Sequence, residues 1–331
     1  MQLTSLDPDH LDRHDVDGAV AVMEAAREVD CPHEQPTTAQ SYTARLQYGW
    51  DGEPPEATVA RDTCGRVVAL LEVTLPRRDN THLGYLELVV DPVVRRQGIG
   101  RDLFGVGVDR VRAEGRTVVM TDCFDNPASL SFAAALGLEQ AIAEAKRRQN
   151  LLSLSWDRIE EVATSAERAA TDYELFRMPA EIPDELMPAV VEMVGAINDA
   201  PLDDLKLEDE VFSAERLRSF RVAQAASDRR IYQLVARHRD TGVLAGHTVT
   251  AVEAQLPHYG QQFDTSVLAA HRGHRLGLLL KTGMLRWLAE EEPQLRVLDT
   301  WNAVSNTHMI GVNETLGYEL VATATGFQRS L

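Results

Sequence analysis

Tyr85-Leu86-Glu87-Leu88-Val89-Val90-Asp91-Pro92-Val93-Val94-Arg95-Arg96-Gln97-Gly98-Ile99-Gly100 is the stretch that decides the fold. Residues 85–90 form an apolar run of strand length that stops at Asp91-Pro92, because proline has no N–H to give a sheet ladder and Asp-Pro favours a turn. Ile99, Leu103, Phe104, Val108 and Val111 then recur at helical spacing, and Gly115 ends the helix. A strand that enters a glycine-bearing turn and continues into a helix turns several backbone N–H groups outward at the positive end of a helix dipole. A diphosphate needs that arrangement. Gly98 and Gly100 would let phosphates approach the backbone closely. A lone Gly-x-Gly also serves as a plain strand-to-helix connection, so the neighbouring sequence must decide.

Upstream, residues 57–60 and 67–73 read as strands flanking the turn Arg61-Asp62-Thr63-Cys64-Gly65-Arg66; downstream, 117–120 reads as a short strand and 126–136 as a short helix. The second half repeats this order. Residues 231–236 and 243–251 flank Asp240-Thr241-Gly242, and 264–268 is the strand before Arg272-Gly273-His274-Arg275-Leu276-Gly277. A helix carrying Leu276, Leu280, Met284 and Leu288 follows, then a strand at 297–300 and a helix at 306–316. Glu87 and Asp264, like Gly100 and Gly277, stand 177 residues apart; Asn126 and Asn306, like Leu136-Gly137 and Leu316-Gly317, stand 180 apart. A near-constant spacing across four landmarks marks an internal repeat. The charged and Ala-rich sequence between the copies gives the expected division: a domain at 1–156, a linker at 157–171 and a domain at 172–331, with part of 141–156 supplying the last strands of the first.

Arg95-x-x-Gly98-x-Gly100, preceded by Val89-Val90-Asp91-Pro92, resembles the acyl-CoA motif of the GNAT N-acetyltransferase superfamily. Residues 264–277, with Thr300-Trp301-Asn302 and Asn306, are similar to bacterial tandem members of that superfamily, and mycothiol synthase, with one active half, is a distant analogue. The resemblance implies two tandem α/β (α+β) folds, each a mixed twisted sheet flanked by helices, in which the fourth and fifth strands splay to admit acetyl-CoA as cosubstrate. It implies that Val89 and Val90, and Ser266, Val267 and Leu268, face the pantetheine. It places the diphosphate over Arg95, Arg96, Gln97, Gly98, Ile99, Gly100 and Arg101 in the first copy, and over Arg272, Gly273, His274, Arg275, Leu276 and Gly277 in the second. Asn126, Asn302 and Asn306 are expected at the cofactor arm, although Asn126 and Asn306 equally suit helix N-caps. Arg275 stands where the motif has its first glycine, a position that favours positive φ.

Moving an acetyl group to an amine requires a group that removes a proton from the attacking ammonium and another that protonates the departing thiolate. Glu87 and Asp264 are the equivalent candidates for general base, Asp264 being favoured for its company of Trp301, Asn302 and Asn306. The tyrosine that relatives carry as general acid is replaced by Ala133 in one copy and Asn313 in the other, which leaves Tyr318 or His308 as candidates. The expectation is an acetyl-CoA-dependent N-acetyltransferase acting on the primary amine of a small molecule, with the second copy catalytic; the alternative is a noncatalytic acyl-CoA-binding sensor or scaffold. The acidic segment 199–210 reads either as an attractor for a cationic acceptor or as a solvated loop.

A net charge of −18 argues against nucleic acid and anionic lipid as partners. Cys31, Cys64 and Cys123 lie far apart, fit no disulfide framework and form no ligand set for a metal, so no metal is expected. The first 18 residues lack a basic start and apolar run, and no segment has membrane-spanning length, so a cytoplasmic monomer or homodimer is expected.

Overall fold

The structure, a computed structural model, describes residues 2–331. In chain order its main elements are β1 (Gln2–Ser5), α1 (Arg13–Asp30), α2 (Ala39–Tyr48), β2 (Glu56–Arg61), β3 (Val67–Thr74), β4 (Leu83–Val90), α3 (Ile99–Ala113), β5 (Val118–Phe124), α4 (Pro127–Ala135) and β6 (Glu139–Asn150). There follow α5 (Trp156–Ala169), β7 (Tyr173–Arg177), α6 (Met187–Val194), α7 (Ala214–Ala226), β8 (Arg229–His238), β9 (Leu244–Glu253), β10 (Tyr259–Val267), α8 (Leu276–Glu291), β11 (Val297–Ala303), α9 (Thr307–Thr315) and β12 (Tyr318–Ser330). The chain gathers into two compact units. Unit 1 is Met1–Glu144, Leu202–Asp209 and Ala322–Leu331; unit 2 is Ala145–Pro201 and Glu210–Val321.

Unit 1 is a mixed sheet, β1-β2-β3-β4-β5, antiparallel up to β4, with β5 parallel to β4. The end of β12 pairs antiparallel with β5, from Ala324↔Phe124 to Ser330↔Val118. Helices α1 and α2 cover one face, packing Val16, Val22, Tyr42 and Leu46 on Val59, Val67 and Leu70. Helix α3 covers the other, packing Leu103, Phe104, Val108 and Val111 on Leu71, Leu86 and Val119. Each fully buried side chain of that size contributes about 1.5–3 kcal/mol, an upper bound set by an extended unfolded chain. Strand β3 lies between the two layers, which explains its unbroken burial from Val67 to Val73. The α3 layer sits so close that a Cβ on Gly84 would fall 2.3 Å from Val111 Cγ2.

Unit 2 repeats the plan as β7-β8-β9-β10-β11, with the end of β6 beside β11. Helices α5 and α8 lie on one face, Ile159, Ala166, Leu280, Met284 and Leu288 packing against Leu234, Val252 and Leu298. Helix α6 covers the other through Met187, Val190 and Met193 against Val235 and Leu244. The stretch 157–171 between the copies is thus mostly α5, a helix whose Ile159, Ala163 and Ala166 are buried. The repeat in the sequence and the compact units in space divide the chain differently, because the final strand completes the sheet that begins at residue 2.

The acidic segment 199–210 is anchored. Leu205 and Leu207 pack against Leu83, Val118 and Met120, Asn80 Oδ1 accepts from Glu208 N (2.7 Å), and Gln328 Oε1 accepts from Lys206 N (2.9 Å). Apolar residues alternating with its charges explain this packing, which the charge run concealed.

Candidate active site

In each unit the parallel strands part company at the same place. Strand β4 pairs with β5 only at Leu83↔Val118, Gly84↔Val119 and Tyr85↔Met120, and β10 pairs with β11 only at Tyr259↔Val297, Gly260↔Leu298 and Gln261↔Asp299. Beyond these pairs Val89 and Val90, and Ser266 and Val267, lie on the diverging stretches, with Leu268 just past the end of β10. Backbone groups on a parted edge are free to bond an extended ligand as if it were another strand.

Both strands end in a single 3-10 turn, Pro92–Val94 or Ala269–His271, followed by the predicted loop. Gly98, at φ 90°, is the N-cap of α3, and Arg275, at φ 55°, is the N-cap of α8. The arginine at the glycine position therefore takes the left-handed conformation, at a cost of about 1–2 kcal/mol. Hydrogen bonding within α3 opens with Asp102 N on Gly98 O (3.1 Å), and in α8 with Leu279 N on Arg275 O (3.1 Å). The N–H groups of Ile99, Gly100 and Arg101, and of Leu276, Gly277 and Leu278, precede those bonds and have no intrahelical partner. A Cβ built on Gly98 or Gly277 meets nothing within 4 Å, so both turns leave room for a bulky anion.

The motif arginines have an additional task. Arg95 donates through Nε to Val90 O (3.0 Å) and pairs with both oxygens of Asp30 (2.8 and 2.6 Å). Arg272 repeats the brace, with Nε to Val267 O (3.1 Å) and an ion pair to Asp199. Each fastens the loop to the end of its strand. Gln97, Arg96, Arg101, Gly273 and His274 are exposed, and Arg275 donates to Ser165 Oγ at 2.6 Å.

The two candidate bases occupy different surroundings. The register of β10 against β9 shifts between Gln262 and Thr265, a bulge that holds Phe263 and Asp264. Asp264 is exposed on this bulge; loss of part of its hydration to the protein around it, then the charge of Glu210, pushes its pKa up to about 6. Strand β4 has no such bulge: its register with β3 is continuous from Ala69↔Val90 to Thr74↔Tyr85. There Arg45 of α2 pairs with both Glu87 and Glu72. Glu72 is 1% exposed, and burial raises its pKa to about 7 against the opposing pull of Arg45.

Asn126 and Asn306 are the N-caps of α4 and α9: Asn126 Oδ1 accepts from Ala128 N and Ser129 N (3.1 and 2.9 Å), and Asn306 Oδ1 from Met309 N (3.2 Å). Tyr318 is 4% exposed, inside the α8 core, with the centroid of its ring 5.1 Å from Lys281 Nζ. His308 is exposed on α9. Asn302 takes part in a buried relay the sequence reading missed: Lys281 Nζ donates to Asn313 Oδ1 (2.8 Å), and Asn313 Nδ2 donates to Asn302 Oδ1 (2.8 Å). Burial brings the Lys281 pKa down to about 7. A lysine within an apolar helix stripe was the available signal. Among the described residues no group of three or more His, Cys, Asp or Glu side chains is placed to hold a metal, and no helix is long and apolar enough to cross a membrane.

Comparisons with known proteins agree with this architecture. The model of the acetyltransferase (GNAT) family matches residues 22–138. Among solved structures, a tandem GNAT protein from the clavulanic acid biosynthesis pathway superposes with a TM-score of 0.82 at 27% identity, covering 99% of this chain and 98% of its own. A GCN5-related N-acetyltransferase from Sphaerobacter thermophilus superposes at 0.67 with 15% identity, covering 99% and 95%, a likeness of fold. No curated protein sequence matches the chain. Residues 22–138 thus match the acetyltransferase (GNAT) family, and the whole chain, with parted strands and open helix N-termini in both units, is similar to a tandem GNAT protein.

Proposed function

We propose that the protein is an acetyl-CoA-dependent N-acetyltransferase that acetylates the primary amine of a small molecule, and that unit 2 carries the chemistry. The observation that carries this is Asp264, set on a bulge where β10 leaves β11, with no cation paired to it among the described residues and its pKa raised to about 6. A general base works best with a pKa near the working pH. Acetyl-CoA supplies, when bound, an acetyl group activated as a thioester. The N–H groups of Leu276, Gly277 and Leu278 hold its diphosphate, and the parted edge at Ser266, Val267 and Leu268 holds the pantetheine, with Asn302 and Asn306 beside it. The Asp264 carboxylate takes the proton the acceptor ammonium must lose. Tyr318 walls the core side, and the place relatives give to a tyrosine is taken by Asn313, a hydrogen-bond donor to Asn302.

Unit 1 has the same kind of loop but a different floor. The guanidinium of Arg45 sits on Glu87, where an acceptor ammonium would otherwise bind, and we assign unit 1 to acyl-CoA binding without transfer. Calorimetric titration with acetyl-CoA tests both assignments, using wild type, Gly277→Glu and Gly98→Glu, with Gly98→Ala as control for the strain at φ 90°. Gly277→Glu should abolish one binding event and all turnover; Gly98→Glu should abolish the other and spare turnover. Turnover lost only with Gly98→Glu would reverse the assignment, and a wild type that binds no acetyl-CoA would overturn the enzyme reading.

A further inference from the structure

A second polar group lies on the face of the unit 2 sheet that α6 and α7 cover. Arg221 of α7 reaches Gln233 Oε1 of β8, and Gln233 Nε2 donates to His247 Nδ1 of β9 (3.2 Å). His247 in turn stands opposite Ser266 of β10. Arg221 is mostly enclosed, and no carboxylate lies within ion-pair distance of it among the described residues. A guanidinium withdrawn from water without a counter-charge is costly, so such groups are normally paired.

The orientations in the chain follow from one another. Arg221 fixes which end of the Gln233 amide faces it, and the amide N–H then fixes the neutral His247 tautomer with its proton on Nε2. That Nε2 and Ser266 Oγ are buried atoms without a partner. Both atoms are closed off from solvent, so the partly exposed guanidinium of Arg221 is the donor in this group that a negative guest can reach.

The register gives the distance to the base. Gln233 lies opposite Val249, and Val249 lies between Thr248 and Thr250, which pair with Thr265 and Gln262 on either side of the Asp264 bulge. Gln233 and Asp264 therefore sit on one cross-strand row, two strand spacings or about 10 Å apart at the backbone. Phe220, next to Arg221, meets Phe263, next to Asp264, with ring centroids 6.5 Å apart. The acidic end of the row gains Glu210, whose charge acts on Asp264.

Building on the acetyltransfer reading, we infer that the acceptor is an amino-carboxylate, its amine at Asp264 and its carboxylate at Arg221, the two ends separated by a short chain. Arg221 contacts the acceptor; Gln233 and His247 are positioning residues that hold the guanidinium fork.

Initial rates of CoA release from acetyl-CoA with matched acceptors test this: β-alanine against ethylamine, 4-aminobutanoate against propylamine, and 6-aminohexanoate against pentylamine. The expected result is a kcat/KM at least 10-fold higher for the carboxylate member of the best pair. Arg221→Met should cut that value by about 30-fold or more and erase the discrimination, acting mainly on KM. Arg221→Lys keeps the charge and should retain part of the discrimination, and acetyl-CoA binding by both variants reports on folding. Equal rates within every pair, or discrimination that survives Arg221→Met, would overturn the inference while leaving acetyltransfer standing. No transfer to any acceptor, with acetyl-CoA bound, would overturn both.

Discussion

Replacing Asp264 by Asn removes the carboxylate while keeping its size, and the structure sets what should follow. With a pKa of about 6, about nine-tenths of Asp264 is ionised at pH 7 and about one-tenth at pH 5, so kcat at saturating acceptor should fall roughly 10-fold over that interval. A carboxyl at the ordinary value of 3.8 would stay ionised, and the profile would be almost flat. Asp264→Asn should lower kcat by about 10²–10⁴-fold and abolish the acid limb, with acetyl-CoA affinity retained. Glu210→Gln removes a charge that raises the Asp264 pKa, and should move the limb to lower pH. Stability provides a second readout with a definite sign. The folded pKa is raised, so the contribution of Asp264 is fully present below about 3.8 and is lost as pH rises through about 6. The advantage in Tm of Asp264→Asn over wild type should therefore grow between pH 4 and pH 7. A variant that keeps kcat within twofold of wild type, or a wild-type limb near pH 4, would refute the assignment of Asp264 as base.

Lys281 has a folded pKa lowered to about 7 from 10.5, so the unfolded chain holds the extra proton between those values and stability should rise with pH from about 7 to 10. In Lys281→Met that rise should vanish from denaturant titrations. Arg45→Met leaves Glu72 buried without its cation and should destabilise unit 1 by about 3 kcal/mol, a value held down by the partial exposure of Arg45 and checked by urea unfolding. Gly84→Ala drives a Cβ to 2.3 Å from Val111 Cγ2 and should cost about 1–3 kcal/mol, most of it recovered by Val111→Ala in the same chain.

Much of the fold was legible because its signals are local. The strand ending at Asp91, the helix starting at Ile99 and their counterparts at Val267 and Leu276 follow from apolar spacing and turn residues, and the structure places these elements within a few residues of the reading. The positive φ of Arg275 was legible only as a question, since an L residue can enter the left-handed region when the surrounding fold requires it. The bulge at Asp264 was hidden, because it arises from how β10 pairs with β9, and no residue type announces it. The partners of Arg45 and Arg221 were hidden for the same reason: Arg45 meets Glu72 and Glu87 from 27 and 42 residues away. Long-range polar contacts are the part of a site that residue spacing does not encode.

The closing strand of unit 1 bears on how the chain is made. Strand β5 receives its neighbour in seven residue pairs from the end of β12, and the Thr325–Asp125 hydrogen bond spans 200 residues. At ribosomal speeds of roughly 5–20 residues per second, the outer edge of β5 waits about 10–40 s for the residues that cover it. An open strand edge is a template for pairing with other chains. Unit 1 is therefore a nascent-chain hazard until the end of β12 has been made, and a ribosome stalled before residue 324 would leave that edge uncovered.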